Sequence, residues 1–263
     1  MAIMMFAMML AAAPPPAPLT VSGPWTVEFA DKVCAMARPY AARGGQTVLL
    51  IKAPLVGREY SIYVIRPGSG VKPEEWREAF ILKPGGAKIG PFPMQAYTSQ
   101  ANKRIVRFSV EPEKYKLTED GATLSFDLGR EGNYSFPVPS LPKALLTLEA
   151  CSKSLRKAFG IDQQMLDRVT VEPKQIGFTF RTSDYPVDAA RTGQQGDVAV
   201  LAFVESDGHV SECSVIESSA IASFDSTTCA VLKSRARFKP ARDASGAAMR
   251  SPVYVRVRWR LPS

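Results

Sequence analysis

GDVAVLAFVESDGHVSECSVIESS, from Gly196 to Ser219, reads as a β-hairpin. Val198, Val200, Ala202 and Val204 alternate along its first arm, the pattern of a strand with one apolar face. Asp207-Gly208 supplies the turn. Val210, Cys213 and Val215 continue the apolar set on the returning arm. The following stretch, SFDSTTCAVLKSRARF from Ser223, predicts a helix. Cys229, Leu232 and Ala236 recur on it at i, i+3 and i+7 and so face the sheet. PARDASGAAMRS from Pro240 reads as a loop. SPVYVRVRWRL then closes the chain as a strand. Val253, Val255, Val257, Trp259 and Leu261 share one face of it. Tyr254, Arg256, Arg258 and Arg260 share the other.

Upstream, strand-like runs follow one another from Trp25. They are WTVEF, QTVLLIK from Gln46, EYSIYVI from Glu59, RIVRFSV, TLSFDL and NYSFPV. Val106, Phe108 and Val110 alternate, as do Leu124, Phe126 and Leu128, and Tyr134, Phe136 and Val138. That period marks strands with one buried face. Pro67-Gly68, Pro84-Gly85-Gly86, Asp120-Gly121 and Glu131-Gly132 are turn signals between them, with Asp120-Gly121 a hairpin tip. A helix is expected from Ser140, the N-cap, with Pro142 in its first turn and Gly160 just past its end. Leu141, Leu145, Leu148, Ser152, Leu155 and Phe159 form its stripe, and Cys151 faces the same core.

These elements divide the chain into a mostly-β domain closed by one helix over residues 20–162, a connector over 163–183 and a small domain over 184–263. The connector's VTVEPKQIGFTF has the composition of one more strand. The fold class expected is α+β. Residues 1–19 read as a signal peptide: Ile3 to Ala13 is apolar, uncharged, ends in small residues and is too short to span a bilayer. It lacks a basic residue in front, so a longer, retained anchor is the alternative. Membrane association is expected only in that case.

Four cysteines, none in a CxxC pair, fit an exported chain with two disulfides. The domain division favours Cys34 with Cys151 and Cys213 with Cys229; buried free thiols are the alternative. The 263 residues carry a net charge of +8, and residues 1–183 hold 23 Lys/Arg against 16 Asp/Glu. No basic run is dense enough to specify a polyanion, so a solvated surface is expected and nucleic acid is not an expected partner.

The C-terminal pieces, taken in order, resemble the C-terminal domain of the TonB energy-transducer family. The matching residues are Tyr185-Pro186 with Ala189, Gly196-Asp197-Val198 with Val200, Asp207-Gly208-His209-Val210 with Val215, and Glu217-Ser218-Ser219. After them come Phe224-Asp225, Arg237-Phe238-Lys239-Pro240-Ala241, Gly246 and the strand from Val253 to Leu261. The resemblance covers about residues 184–262 and implies a three-stranded antiparallel sheet with helices on one side. It further implies that an extended segment of an outer-membrane receptor adds to the sheet near its last strand, where main-chain bonds give affinity and alternate side chains specificity.

The residues expected at that contact are Val253, Tyr254, Val255, Arg256, Val257, Arg258, Trp259 and Arg260, with Tyr185-Pro186 at the module's entry. The arginines fit a solvated strand face equally well, and Tyr185-Pro186 fits a seating turn better than a contact. A periplasmic, partner-binding protein is therefore expected, with self-association of the module as a further expectation. The alternative is a structural or peptidoglycan-binding envelope protein. The sequence shows no N-terminal membrane helix and no long Pro-rich arm of the kind the family uses. PPPAP from Pro14 reaches only about 15 Å, so binding is expected rather than force transmission.

No enzyme is expected. His209 is the sole histidine and sits at a turn, poorly placed for a Ser-His-Asp arrangement. Gly44-Gly45 and Gly85-Gly86 lack the Lys-Ser/Thr of a phosphate loop. One histidine and disulfide-bonded thiols leave no zinc set, and neither cofactor nor metal is expected.

Overall fold

The structure is a computed structural model that describes residues 16–30, 32–69, 75–83, 87–99, 101–111, 113, 123–177 and 179–261. The apolar N-terminal run and the turn signals Pro84-Gly85-Gly86 and Asp120-Gly121 lie outside the described residues. The chain forms two compact units. One takes the residues up to Phe29, Cys34–Pro54 and Arg58–Ala150. The other takes Ala30–Val33, Leu55–Gly57 and everything from Cys151 onward.

The first unit is one antiparallel sheet. Its strands are β1 (Thr20–Val21), β2 (Thr26–Ala30), β3 (Val33–Ala42), β4 (Gly45–Lys52), β5 (Tyr60–Pro67), β6 (Glu75–Leu82), β7 (Lys88–Thr98), β8 (Lys103–Val110), β9 (Thr123–Asp127) and β10 (Asn133–Pro137). They lie in the order β1-β3-β4-β5-β8-β7-β6-β9-β10, with β2 also on β3. The Leu19 N–H, just before β1, donates to the Ser135 carbonyl of β10 at 2.8 Å. The two ends of the sheet thus meet, and the sheet curls into a nearly closed barrel.

Alternation along the strands sends one set of side chains inward, and in a small barrel that set fills the interior. Val106, Phe108 and Val110 of β8 are buried, as are Leu124 and Phe126 of β9. Four rings run through the core: Phe108 meets Phe126 edge-on at 5.1 Å, Phe126 lies 6.1 Å from Phe136, and Phe136 meets Tyr40 at 5.0 Å. The Tyr40 hydroxyl donates to the Pro137 carbonyl at 2.8 Å, and burial pushes its pKa up to about 12. A buried carboxylate, Glu131, 8% exposed, lies in the turn between β9 and β10. Arg104 of β8, 5% exposed, binds it with Nε at 3.0 Å and with Nη2, while Arg66 of β5 adds an Nη2 contact at 2.9 Å. The hydrogen bond from Arg104 holds the Glu131 carboxyl below the usual carboxylate range, against the opposing effect of its burial.

Helix α1 (Leu141–Ala158) follows the barrel strands as expected. The Ser140 carbonyl accepts the Ala144 N–H, and Gly160 ends the helix at φ 70°. Leu141, Leu148, Cys151 and Ser152 are buried along its stripe.

The second unit is built on the quoted hairpin. Its elements are α2 (Gln163–Arg168), β11 (Lys174–Gln175), α3 (Val187–Arg191), β12 (Gly196–Val204), β13 (Val210–Glu217), α4 (Ala222–Arg235), β14 (Phe238–Lys239), β15 (Ala241–Arg242), β16 (Ala248–Met249) and β17 (Ser251–Trp259). The three long strands form an antiparallel sheet in the order β13-β12-β17. The turn is closed by Glu205 N–H to the His209 carbonyl at 2.9 Å, with Gly208 at φ 87°. A Cβ on Gly208 would stand 2.1 Å from the Phe238 carbonyl oxygen, so the position needs glycine for space as well as for φ.

On one sheet face Val198, Val200, Ala202 and Val204 pack with Phe224, Leu232 and Ala236 of the α4 region. Cys213 and Cys229 are joined there across a Cα separation of 5.6 Å. Cys34 and Cys151 are disulfide-bonded too, and no free cysteine occurs among the described residues. The other face is covered as well: Leu201, Phe203 and Ile216 pack with Leu55 and Ile161, flanked by Leu155, Phe159, Met165 and Leu166. Strand β12 is consequently buried on both sides, which is why it reads as a continuous apolar run.

The stretch read as a connector is tied into this unit. β11 pairs with β14, and Val171 bridges Arg242. The stretch read as a loop after Pro240 is a tight hairpin, β15 with β16. Asp243 makes it: its Oδ1 accepts the N–H of Ser245 at 3.0 Å and of Ala247 at 3.1 Å. No helix among the described residues is long and apolar enough to cross a membrane.

Candidate functional site

Strand β17 is an edge of the three-stranded sheet: among the described residues its one strand neighbour is β12. The register runs from Val204 opposite Ser251 to Gly196 opposite Trp259. Pro252, which has no N–H to donate, sits at the start of the strand, where edge strands tolerate it. The opposite edge, β13, is touched by a cation. Lys32 Nζ donates to the Val215 carbonyl at 2.8 Å, and lysine at a strand edge discourages pairing with another chain.

The apolar side chains of β17 point into the core. Val253 and Val257 are buried, and Trp259 is 4% exposed. Trp259 stacks on Phe224 at 5.2 Å and is met edge-on by Phe180 at 5.5 Å and Tyr185 at 5.7 Å. Its indole N–H donates to Thr228 Oγ1 at 3.0 Å, and that hydroxyl donates to the Phe224 carbonyl at 2.8 Å. Every polar atom of the box therefore has a partner, which a buried indole needs. Tyr185 meets Phe224 edge-on at 5.3 Å and donates its hydroxyl to the Gln194 carbonyl. Burial raises its pKa. Pro186 precedes α3 and places Ala189 in the core. Tyr185-Pro186 thus seats the module against the base of β17.

The polar face of β17 is organised by small and acidic residues of its own sheet. Ala199 of β12 lies between Arg256 of β17 and Glu217 of β13 in register. Its methyl group leaves room for Arg256 Nη2 to reach Glu217 Oε2 at 2.6 Å across the central strand. Arg256 also donates to the Tyr254 hydroxyl at 2.7 Å, and that hydroxyl donates to Glu217 Oε1 at 3.3 Å. Arg260 reaches Asp197 at 2.7 Å and the Gly196 carbonyl at 3.0 Å. Tyr254, 40% exposed, and Arg258 present surface on this face, and Val255 is half-buried. Sequence reading did not single out Ala199, Glu217 or Asp197 as partners of the arginines, because a cross-strand partner is fixed by register and not by distance along the chain.

Residues 181–261 match the family described as Gram-negative bacterial TonB protein C-terminal. This stretch is a TonB C-terminal domain. The match begins at Arg181, which places the Arg181–Asp184 turn inside the domain; there the Asp184 carboxylate accepts the Arg181 N–H at 2.7 Å and pairs with Arg235 of α4. The TonB domain takes up less than a third of the chain and ends with β17. No curated protein matches the chain. His209, at the domain's hairpin turn, is exposed and lies beside Asp207, which accepts its backbone N–H at 3.1 Å. No cluster of three metal-ligating side chains occurs among the described residues.

Proposed function

We propose that the chain is a periplasmic TonB-family protein that binds an envelope partner by strand addition along β17, with an extended segment of an outer-membrane receptor as the partner type. The observation that carries this reading is the edge position of β17 within a matched TonB domain. The strand is held rigidly from behind by the Trp259 box and from above by the Arg256–Glu217 bridge. An added strand then meets a preformed ladder and costs ordering entropy on the partner's side alone. The asymmetry of the edges supports the same choice, since Lys32 guards β13. Self-association through β17 is the competing occupant of the same edge.

Calorimetry with a receptor-derived extended peptide tests the reading, using a second peptide N-methylated at alternate residues. Strand addition requires main-chain donors, so the plain peptide is expected to bind and the methylated one to lose binding at least about tenfold, roughly 1.4 kcal/mol. Equal affinities would count against the edge. Sequencing the N-terminus of the protein from cells tests the location: an end between Ala13 and Pro18 is expected of a processed periplasmic chain.

A further inference from the structure

We propose that the barrel end formed by Arg66, Arg104 and Thr98 holds a small anion, a halide or a compact oxyanion. The three residues are direct neighbours on adjoining strands, with Arg66 of β5 opposite Arg104 of β8 and Arg104 opposite Thr98 of β7. Directly opposed residues place their side chains on the same sheet face. Each carries a buried polar atom without a hydrogen-bond partner among the described residues: Arg66 Nε, Arg104 Nη1 and Thr98 Oγ1. Three such atoms on neighbouring residues are unusual, because buried polar groups are nearly always satisfied.

Glu131 does not satisfy them. Both of its oxygens are engaged, Oε1 by Arg104 Nη2 and Oε2 by Arg104 Nε and Arg66 Nη2. The Tyr134 hydroxyl donates to the Glu131 carbonyl at 3.0 Å and accepts from the Arg66 guanidinium, which leaves Arg104 Nη1 and Thr98 Oγ1 as the atoms that most need a partner. Among the described residues the further charged neighbours are Glu75 and Arg77, which are paired with each other through two contacts. Among the described residues three guanidinium groups thus face two carboxylates, an excess of one positive charge. A water molecule would satisfy hydrogen bonds but add no negative charge to offset that excess. An anion answers both needs. Arg66 links the site to solvent, since a third of its side chain is exposed while those of Arg104 and Glu131 are almost fully covered. The interior beyond is filled by Phe108, Met94 and Val64, so the seat suits a small anion and not a long ligand.

The test uses the full chain at constant ionic strength, with chloride, bromide, acetate or phosphate exchanged for gluconate, too bulky for the seat. The melting temperature is expected to rise saturably with the small anions. The comparison variant is Thr98→Val, which keeps shape and strand preference and changes no charge. It is expected to weaken the apparent affinity about fivefold to tenfold, the loss of one hydrogen bond. Diffuse attraction to a basic protein would be unchanged by Thr98→Val, so an equal dependence in both proteins overturns the proposal. Crystals soaked in bromide give the direct reading: an anomalous peak within about 3.5 Å of Arg104 Nη1 is expected, and a water at that position overturns it.

Discussion

Trp259 ties the candidate edge to the core of the TonB domain. It contributes one backbone position to β17 and one indole to the box of Phe180, Tyr185 and Phe224. Trp259→Ala removes that indole and the hydrogen bond it donates to Thr228, so a loss of about 3–5 kcal/mol in urea unfolding is expected. Tyr254→Ala, on the exposed face, removes the hydroxyl shared by Arg256 and Glu217 and is expected to cost less, about 1 kcal/mol. In the barrel, Glu131 has its pKa lowered, first by the hydrogen bond from Arg104. A depressed carboxylate adds stability that is present above its unfolded pKa, about 4.3, and lost as pH falls through the folded value. Unfolding followed from pH 7 to pH 3 is expected to show this loss below about pH 4.3, and Glu131→Gln is expected to flatten it. At this scale the sequence was legible for burial: Val106, Phe108, Leu124 and Phe126 could be placed by alternation alone. It was silent on Ala199, whose small side chain matters only once β13 and β17 are known to flank β12.

Among the elements, the hairpin β12–β13, helix α4 and strand β17 follow from local pattern, and so does the Cys213–Cys229 bridge. Its sequence separation of 16 residues predicts that replacing both cysteines by alanine costs about 3 kcal/mol, measurable by urea unfolding with midpoint and slope both fitted. Strands β3, β6 and β7 did not stand out from the sequence. In β7 the reason is Pro91 and Pro93, which argue against a strand. The recorded pairing of β7 with β8 runs from Gln95 to Thr98, whereas Phe92 and Pro93 pair with β6. The prolines thus lie where the strand has a single recorded neighbour, and there a missing N–H is tolerated. In β12 the alternation was read correctly but only half of it was used. Leu201 and Phe203 on the second face already required a cover, and its source, Leu55 and the α1–α2 region, is remote in sequence.

For the whole molecule, the matched TonB domain and the compact unit containing it differ in extent. The unit also takes in Leu55–Gly57 and the chain from Cys151, and those residues cover the second face of the sheet. A fragment limited to residues 181–261 would expose Leu201, Phe203 and Ile216, and large exposed apolar patches drive association. Sedimentation velocity is expected to show that fragment self-associating at concentrations where the full chain does not. The central claim is that partner contact runs along β17, and backbone amide shifts of the labelled full chain during titration with a receptor-derived extended peptide test it most directly. Strand addition predicts perturbations concentrated in residues 251–261, with β13 unaffected. Binding with shifts confined to β13 or to the barrel, and none along β17, would contradict it.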